Sequence, residues 1–193
     1  MDYLGAKRGA RSFILGGLCS GADNAFRVAV LDSRVSGAIL MDWYAYRTAQ
    51  FYLRHYATRL FQARAWRNKI VSVVRRLGGR SLPDRGQVQL DPFGRPFPPK
   101  GEIAGQLRGV LRRGIQLLCV YTAGQLEVYN YRGQFHDMFG SLESDGHVRT
   151  EFLRASDHTF SLTRHRAHLR ETITDWVTSI DWTRVGNQGH RVP

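Results

Sequence analysis

The sequence has few cysteines and no long apolar run, and each of these absences excludes a class of protein. Two cysteines among 193 residues cannot build a disulfide framework. No apolar run approaches the roughly eighteen residues that a membrane-spanning helix needs. The first twelve residues also lack the apolar centre of a secretion signal. We therefore expect a cytoplasmic protein without a membrane span.

Cysteine and histidine do not occur at the spacings typical of metal sites. We accordingly expect neither a metal nor another cofactor. Cys119 stands in the apolar run "IQLLCVY" and is predicted to be a buried free thiol.

Acidic residues are scarce in one segment, residues 47–113. This segment holds fifteen lysines and arginines against three acids, Asp84, Asp91 and Glu102. The remaining chain carries thirteen residues of each sign, so the net charge of +12 arises in the segment. A solvated helical face and a surface for a polyanion both fit this pattern. Because most of these charges are arginines set among apolar and aromatic stretches, we expect nucleic acid not to be the partner.

Apolar runs that end at glycine or aspartate predict an α/β fold. The predicted strands cover residues 12–17, 35–42 and 114–124, and a fourth begins at 147. Helical patterns cover 22–34, the region near 131–142, and 161–180. Residues 47–80 resemble two basic amphipathic helices, and 82–101, with five of the six prolines, an irregular connector.

Strands that alternate with helices are typical of a mostly parallel sheet. We expect about four strands flanked by helices. Residues 1–42 and 114–193 would form this core, and residues 43–113 a helical insertion above it.

A short motif, "GLCSG", follows the first predicted strand and opens the first helix. A nucleophile at a sharp strand-to-helix turn needs small residues two positions away on either side, because the backbones come close there. Gly17 and Gly21 flank Cys19 in this way, whereas Ser20 lacks such neighbours. The positive end of the helix would also favour a thiolate. The motif predicts a cysteine nucleophile or, alternatively, only a tight structural turn.

Histidine is the usual base for such a nucleophile, and His158 is the candidate. It stands in "RASDHTF", between the last predicted strand and the last helix, so that nucleophile and histidine follow the chain order of α/β-hydrolases. The other histidines are expected at the surface: His55, His136, His147, His165, His168 and His190.

The chain resembles the C-terminal part of an α/β-hydrolase, in particular the serine-aminopeptidase-like hydrolases associated with exosortase and exopolysaccharide systems. The stretches that carry the likeness are "GLCSGAD", "DSRVSGAILMDWYAYRT", "YNYRGQF" and "ASDHTFS". The resemblance implies that Cys19 is the nucleophile, that the backbone N–H of Ser20 binds the oxyanion, and that residues 43–113 form a cap over the site.

The triad acid has more than one candidate. Gln125 stands close to where many relatives carry aspartate, so the nearest carboxylate, Glu127, is our first choice. Asp42, at the end of the second strand, is the second choice. Each has a structural alternative, a solvated loop charge for Glu127 and a helix cap for Asp42. Asp157 adjoins His158 but would point elsewhere if its loop is tight.

The family's sheet has eight strands with the nucleophile after the fifth, and the resemblance therefore implies that only the last four have counterparts here. The loop that supplies a second oxyanion amide would be missing, and the first strand would be an exposed edge that invites pairing. We expect a truncated product, a misplaced start, or a protein whose sheet is completed by a partner or a second copy.

Together these features predict an acyl hydrolase or transferase that acts on an ester, a thioester or an amide. The basic insertion would suit an anionic substrate. Cys19 would attack, His158 would move the proton, and Glu127 or Asp42 would orient His158. The alternative is a non-catalytic interaction domain that binds a polyanion through residues 43–113.

Overall fold

A computed structural model describes residues 1–60, 97–143 and 146–182. The second predicted basic helix and most of the proline-containing connector lie outside these residues. His190 lies outside them as well.

Four strands form one sheet: β1 (Phe13–Leu18), β2 (Val35–Met41), β3 (Gln116–Thr122) and β4 (Val148–Leu153). They are adjacent in chain order, and all three pairings are parallel. Leu18 pairs with Met41, and Met41 pairs with Val120. The carboxyl ends of neighbouring strands therefore meet at one edge of the sheet. This confirms the predicted α/β fold with a mostly parallel sheet of about four strands.

The described helices precede, connect and follow these strands and are numbered in chain order. They are α1 (Asp2–Arg8), α2 (Ser20–Leu31), α3 (Ala49–Leu60), α4 (Lys100–Arg112), α5 (Gln134–Phe139) and α6 (Thr163–Ser179). Two short 3₁₀ segments follow β3 and α5, at Ala123–Gln125 and Gly140–Glu143.

Helices cover both faces of the sheet. Side chains from α2, α4 and α5 pack with one face of the strands. Helix α6 packs against the other face, where its Trp176 lies in one cluster with Leu118 and Val120 of β3. Burial on both faces explains why the two central strands, β2 and β3, are nearly continuous apolar runs instead of alternating ones. Cys119 on β3 is a buried thiol outside any disulfide, as predicted.

Helix α4 lies inside the segment that the sequence marked as an insertion, yet it packs with the core. Its buried side chains recur at helical spacing, at Ile103, Leu107, Val110 and Leu111. Just after it, Arg113 donates to the carbonyl oxygens of Ala29 and Val30 at 2.8 and 3.0 Å, near the end of α2. The C-terminal end of the segment thus belongs to the layer that covers the sheet.

Strand β1 forms an edge of the described sheet, since its one partner among the described strands is β2. Ile14 on this strand is 40% exposed. None of the helices in the described ranges combines the length and apolar character needed to cross a membrane.

Candidate active site

The candidate residues gather at the carboxyl edge of the sheet, where open α/β sheets bind their ligands. Cys19 directly follows β1 and Asp42 directly follows β2, while His158 lies on the loop after β4. The amide of Cys19 donates to the carbonyl oxygen of Met41 at 2.8 Å. Cys19 is therefore hydrogen bonded to the residue that precedes Asp42 in the chain.

Cys19 has a backbone conformation that residues with a side chain rarely adopt. Its φ is 56° and its ψ is −120°, and it is the N-cap residue of α2. Its carbonyl oxygen accepts from the amides of Ala22 and Asp23, so the helix starts immediately after the cysteine. Such a conformation costs about 1–3 kcal/mol. A strained residue at a strand-to-helix turn is the geometry of a nucleophile elbow.

Only one of the two flanking glycines is required by close packing. A Cβ atom at Gly17 would lie 2.1 Å from the carbonyl oxygen of Gly21, whereas a Cβ atom at Gly21 would meet nothing within 4 Å. The sharp turn thus brings the backbone of Gly21 against Gly17. The glycine pattern in the sequence has a steric cause at position 17 and not at position 21.

Asp42 and His158 form a buried pair. Nδ1 of His158 lies 2.7 Å from Oδ2 of Asp42, and the two side chains are 16% and 0% exposed. An ionised carboxylate can only accept hydrogen bonds, so Nδ1 of His158 would be the donor to Asp42. In a neutral imidazole with its hydrogen on Nδ1, Nε2 carries the lone pair that a general base requires.

The turn after β3 holds this pair in place. Thr122 donates its amide to Oδ1 of Asp42 at 2.7 Å and its hydroxyl to Oδ2 at 2.6 Å. Gln125 donates its side-chain amide to the carbonyl oxygen of Asp42 at 2.6 Å. Sequence reasoning missed Thr122, because a threonine at a strand end carries no distinctive signal. The sequence marks Gln125 only by its position, close to where many relatives of the resembled family carry aspartate.

The two other candidate carboxylates, Glu127 and Asp157, have different surroundings. The side chain of Glu127 is exposed, while its backbone carbonyl accepts from Arg47 at 2.9 Å. Asp157 accepts from the hydroxyl and the amide of Ser161, which lowers the pKa of Asp157 below its usual value. The structure thus pairs His158 with Asp42, our second choice. The physical reason is that the loop bearing His158 folds back over the end of β3 towards β2.

Backbone strain concentrates around these residues. Among the described residues, the non-glycine residues with positive φ are Cys19 at 56°, Asp42 at 47° and Phe160 at 52°. The first two are the candidate nucleophile and acid, and the third lies two residues after His158. Strain of this kind clusters at functional sites because the surrounding structure must hold it.

Ser20 is the first residue of α2, and its side chain is exposed. Backbone amides in the first turn of a helix have no acceptor within the helix. The N–H of Ser20 is therefore suited to bind an oxyanion next to Cys19.

One expectation about the remaining histidines is wrong. His165 is only 8% exposed, because it begins the buried face of α6 together with Thr172 and Trp176. Across residues 1–60, 97–143 and 146–182 no cluster of three or more metal-ligating side chains occurs.

Comparisons with known proteins add no relative: no family model, no curated protein and no solved structure matches this chain. The fold and the geometry of the site therefore define its class. It is an α/β protein with a strained cysteine and an aspartate–histidine pair at the carboxyl edge of a parallel sheet.

Proposed function

We propose that this chain is an acyl hydrolase or acyltransferase of the α/β-hydrolase type, with Cys19 as nucleophile, His158 as base and Asp42 as the acid that orients His158. One observation carries the proposal. A cysteine in a strained strand-to-helix turn is hydrogen bonded, through its amide, to the strand end that holds a buried aspartate–histidine pair. Backbone strain and a hydrogen-bonded aspartate–histidine pair at one place in the fold are typical of a functional site.

The reaction would proceed in two steps. Nε2 of His158 takes the proton of the Cys19 thiol while the sulfur attacks the carbonyl carbon of an ester, a thioester or an amide. The oxyanion is held by the N–H of Ser20 and then collapses, and the leaving group departs with the proton from His158. Water, or another acceptor activated by His158, next attacks the acyl-cysteine, and the carboxylic product and the free thiol are released.

We further propose that the acyl substrate is anionic. Arg47 donates to the carbonyl oxygen of Glu127, and Arg54 lies 5.0 Å from the ring centre of Tyr131, so both lie near the segments that follow β3. Arginines held beside the segments that follow β3 support an anionic acyl group, while binding of a polyanion by the basic segment stays the alternative. The prediction is faster reaction with acyl groups that carry a carboxylate than with neutral ones of equal length.

Release of a chromophoric leaving group tests the reaction. Activated esters and thioesters, each with a neutral and an anionic acyl chain, are mixed with the protein and with the variants Cys19→Ala and Cys119→Ala. We expect a burst of one equivalent from the native chain and from Cys119→Ala, and no burst from Cys19→Ala. Equal release by all three proteins would refute the proposal.

A further inference from the structure

We infer that the turn after β3, residues 122–125, positions the aspartate–histidine pair, and that Thr122 is a positioning residue for the reaction proposed above. The inference rests on that proposed function. It assigns a role to a segment from which the proposed reaction takes no nucleophile, base or acid.

Thr122 determines the direction in which the carboxylate of Asp42 points. Its amide and its hydroxyl donate to the two different oxygens of that carboxylate, at 2.7 and 2.6 Å. Two donors from one residue, one on each oxygen, fix both the position and the plane of the carboxylate. The oxygen that binds the hydroxyl, Oδ2, is also the one that binds Nδ1 of His158. The plane of the carboxylate therefore sets where the imidazole lies.

Two further residues of the turn act on the same pair. Gln125 is fully buried and holds the carbonyl oxygen of Asp42, whose φ of 47° needs support from its surroundings. Gly124 lies against the backbone of His158, since a Cβ atom at this position would come within 2.6 Å of the Cβ atom of His158. The turn thus contacts the acid at both its carboxylate and its carbonyl, and the histidine at its backbone.

The hydroxyl of Thr122 also accepts from the amide of Gly124 at 3.1 Å. The same side chain therefore closes the turn and orients the acid. A loss of the hydroxyl should loosen both contacts together, and the imidazole should lose its fixed orientation.

Proton NMR of the His158 Nδ1–H provides a readout that does not depend on catalysis. A hydrogen-bonded imidazole N–H on a carboxylate gives a strongly deshielded resonance, which disappears by exchange when the bond is not held. The measurement uses the full chain with Cys19→Ala, so that reactivity has no part in it. Asp42→Asn identifies the resonance by removing it.

We expect Thr122→Val to abolish or broaden this resonance, and Thr122→Ser, which keeps the hydroxyl, to restore it. In the chain with Cys19 intact, Thr122→Val should acylate about tenfold more slowly than the native protein, as the loss of a hydrogen bond to a charged group predicts. Thr122→Ser should stay within about twofold of the native rate. Gly124→Ala should displace His158 and weaken the same resonance, with the Thr122 hydroxyl still present.

Thermal unfolding is recorded for every variant, and Thr122→Ala replaces Thr122→Val if the valine variant does not fold. A folded Thr122→Val or Thr122→Ala with an unchanged Nδ1–H resonance would overturn the inference. Failure of Cys19 to acylate, with a resonance that still depends on Thr122, would refute the proposed function and leave the positioning role in place.

Discussion

Asp42 and His158 are 116 residues apart in the chain, and yet Nδ1 of the histidine lies 2.7 Å from a carboxylate oxygen of the aspartate. The aspartate directly follows β2, and the histidine lies on the loop after β4, across the end of β3. The pair therefore depends on the placement of three of the four strands. Because Asp42 is the carboxylate that contacts His158, its removal should slow the reaction far more than the removal of the exposed carboxylate of Glu127.

The exchange of Asp42 for asparagine tests this pair. Asp42→Asn keeps the shape of the site but favours the other imidazole tautomer, with the hydrogen on Nε2. We therefore expect acylation of Cys19 to slow by about a thousandfold or more. Glu127→Gln is the matched control, because the Glu127 side chain is exposed, and it should keep the native rate. Single-turnover release of an activated ester gives both rates. A large effect of Glu127→Gln together with a small effect of Asp42→Asn would assign the acid to Glu127 instead.

Alanine at the two elbow glycines should give opposite results. Gly17→Ala places a Cβ atom 2.1 Å from the carbonyl oxygen of Gly21, and the backbone shift this forces should cost about 1–3 kcal/mol of unfolding free energy or more. Gly21→Ala meets open space in the first turn of α2 and should be neutral or up to about 1 kcal/mol stabilising. Urea unfolding measures both. Equal destabilisation by the two changes would contradict the close approach of Gly21 to Gly17 in this turn.

The strain at Cys19 can be measured by comparing two variants that both lack the thiol. Glycine adopts a φ of 56° without cost, whereas alanine keeps the strain of the native cysteine. We expect Cys19→Gly to be about 1 kcal/mol more stable than Cys19→Ala, although glycine loses more backbone entropy on folding. Denaturant unfolding of the two variants measures the difference between their free energies of unfolding. A less stable glycine variant would show that the turn is relaxed.

Acid stability should depend on Asp32, at the end of α2. Hydrogen bonds from the side chain and the amide of Arg34 hold the pKa of Asp32 at about 2, below its ordinary value of 3.8. Because the pKa is lowered in the folded chain, the carboxylate stabilises the fold above about pH 4, and this contribution disappears as the pH falls towards 2.

The expected size is up to about 1 kcal/mol, since the pair is partly exposed. Urea unfolding of the native chain and of Asp32→Asn should differ at pH 7 and converge between pH 4 and pH 2. A difference that does not change over this range would show that the carboxylate does not have the lowered pKa.

The two central strands could be predicted from the sequence because a strand buried on both faces is a nearly continuous apolar run. Each of the four predicted strands begins within about two residues of a strand that the structure describes. The sequence analysis predicts no separate helix at α4, although Ile103, Leu107 and Leu111 recur at helical spacing. The reason is that the prolines before this helix indicate an irregular connector.

The site could be predicted only where a local motif marks it. The spacing of Gly17, Cys19 and Gly21 predicts a sharp strand-to-helix turn, which the structure describes at Cys19, because the conformation of one turn depends on a few neighbouring residues. The choice of acid required the path of the loop after β4, which local pattern does not determine. Thr122 could not be identified for the same reason, because its role comes from a contact with a residue 80 positions away.

We propose that His158 activates Cys19. Peptide-level mass spectrometry after brief exposure to an activated ester measures this activation at the cysteine itself. The native chain and His158→Ala are treated side by side and digested, and the acylated fractions of Cys19 and Cys119 are compared over time. We predict an acyl group on Cys19, little on the buried Cys119, and a rate at Cys19 that falls by about a hundredfold or more in His158→Ala. Equal labelling of the two cysteines would show that Cys19 is not the nucleophile. A rate at Cys19 that His158→Ala does not change would show that His158 is not its base.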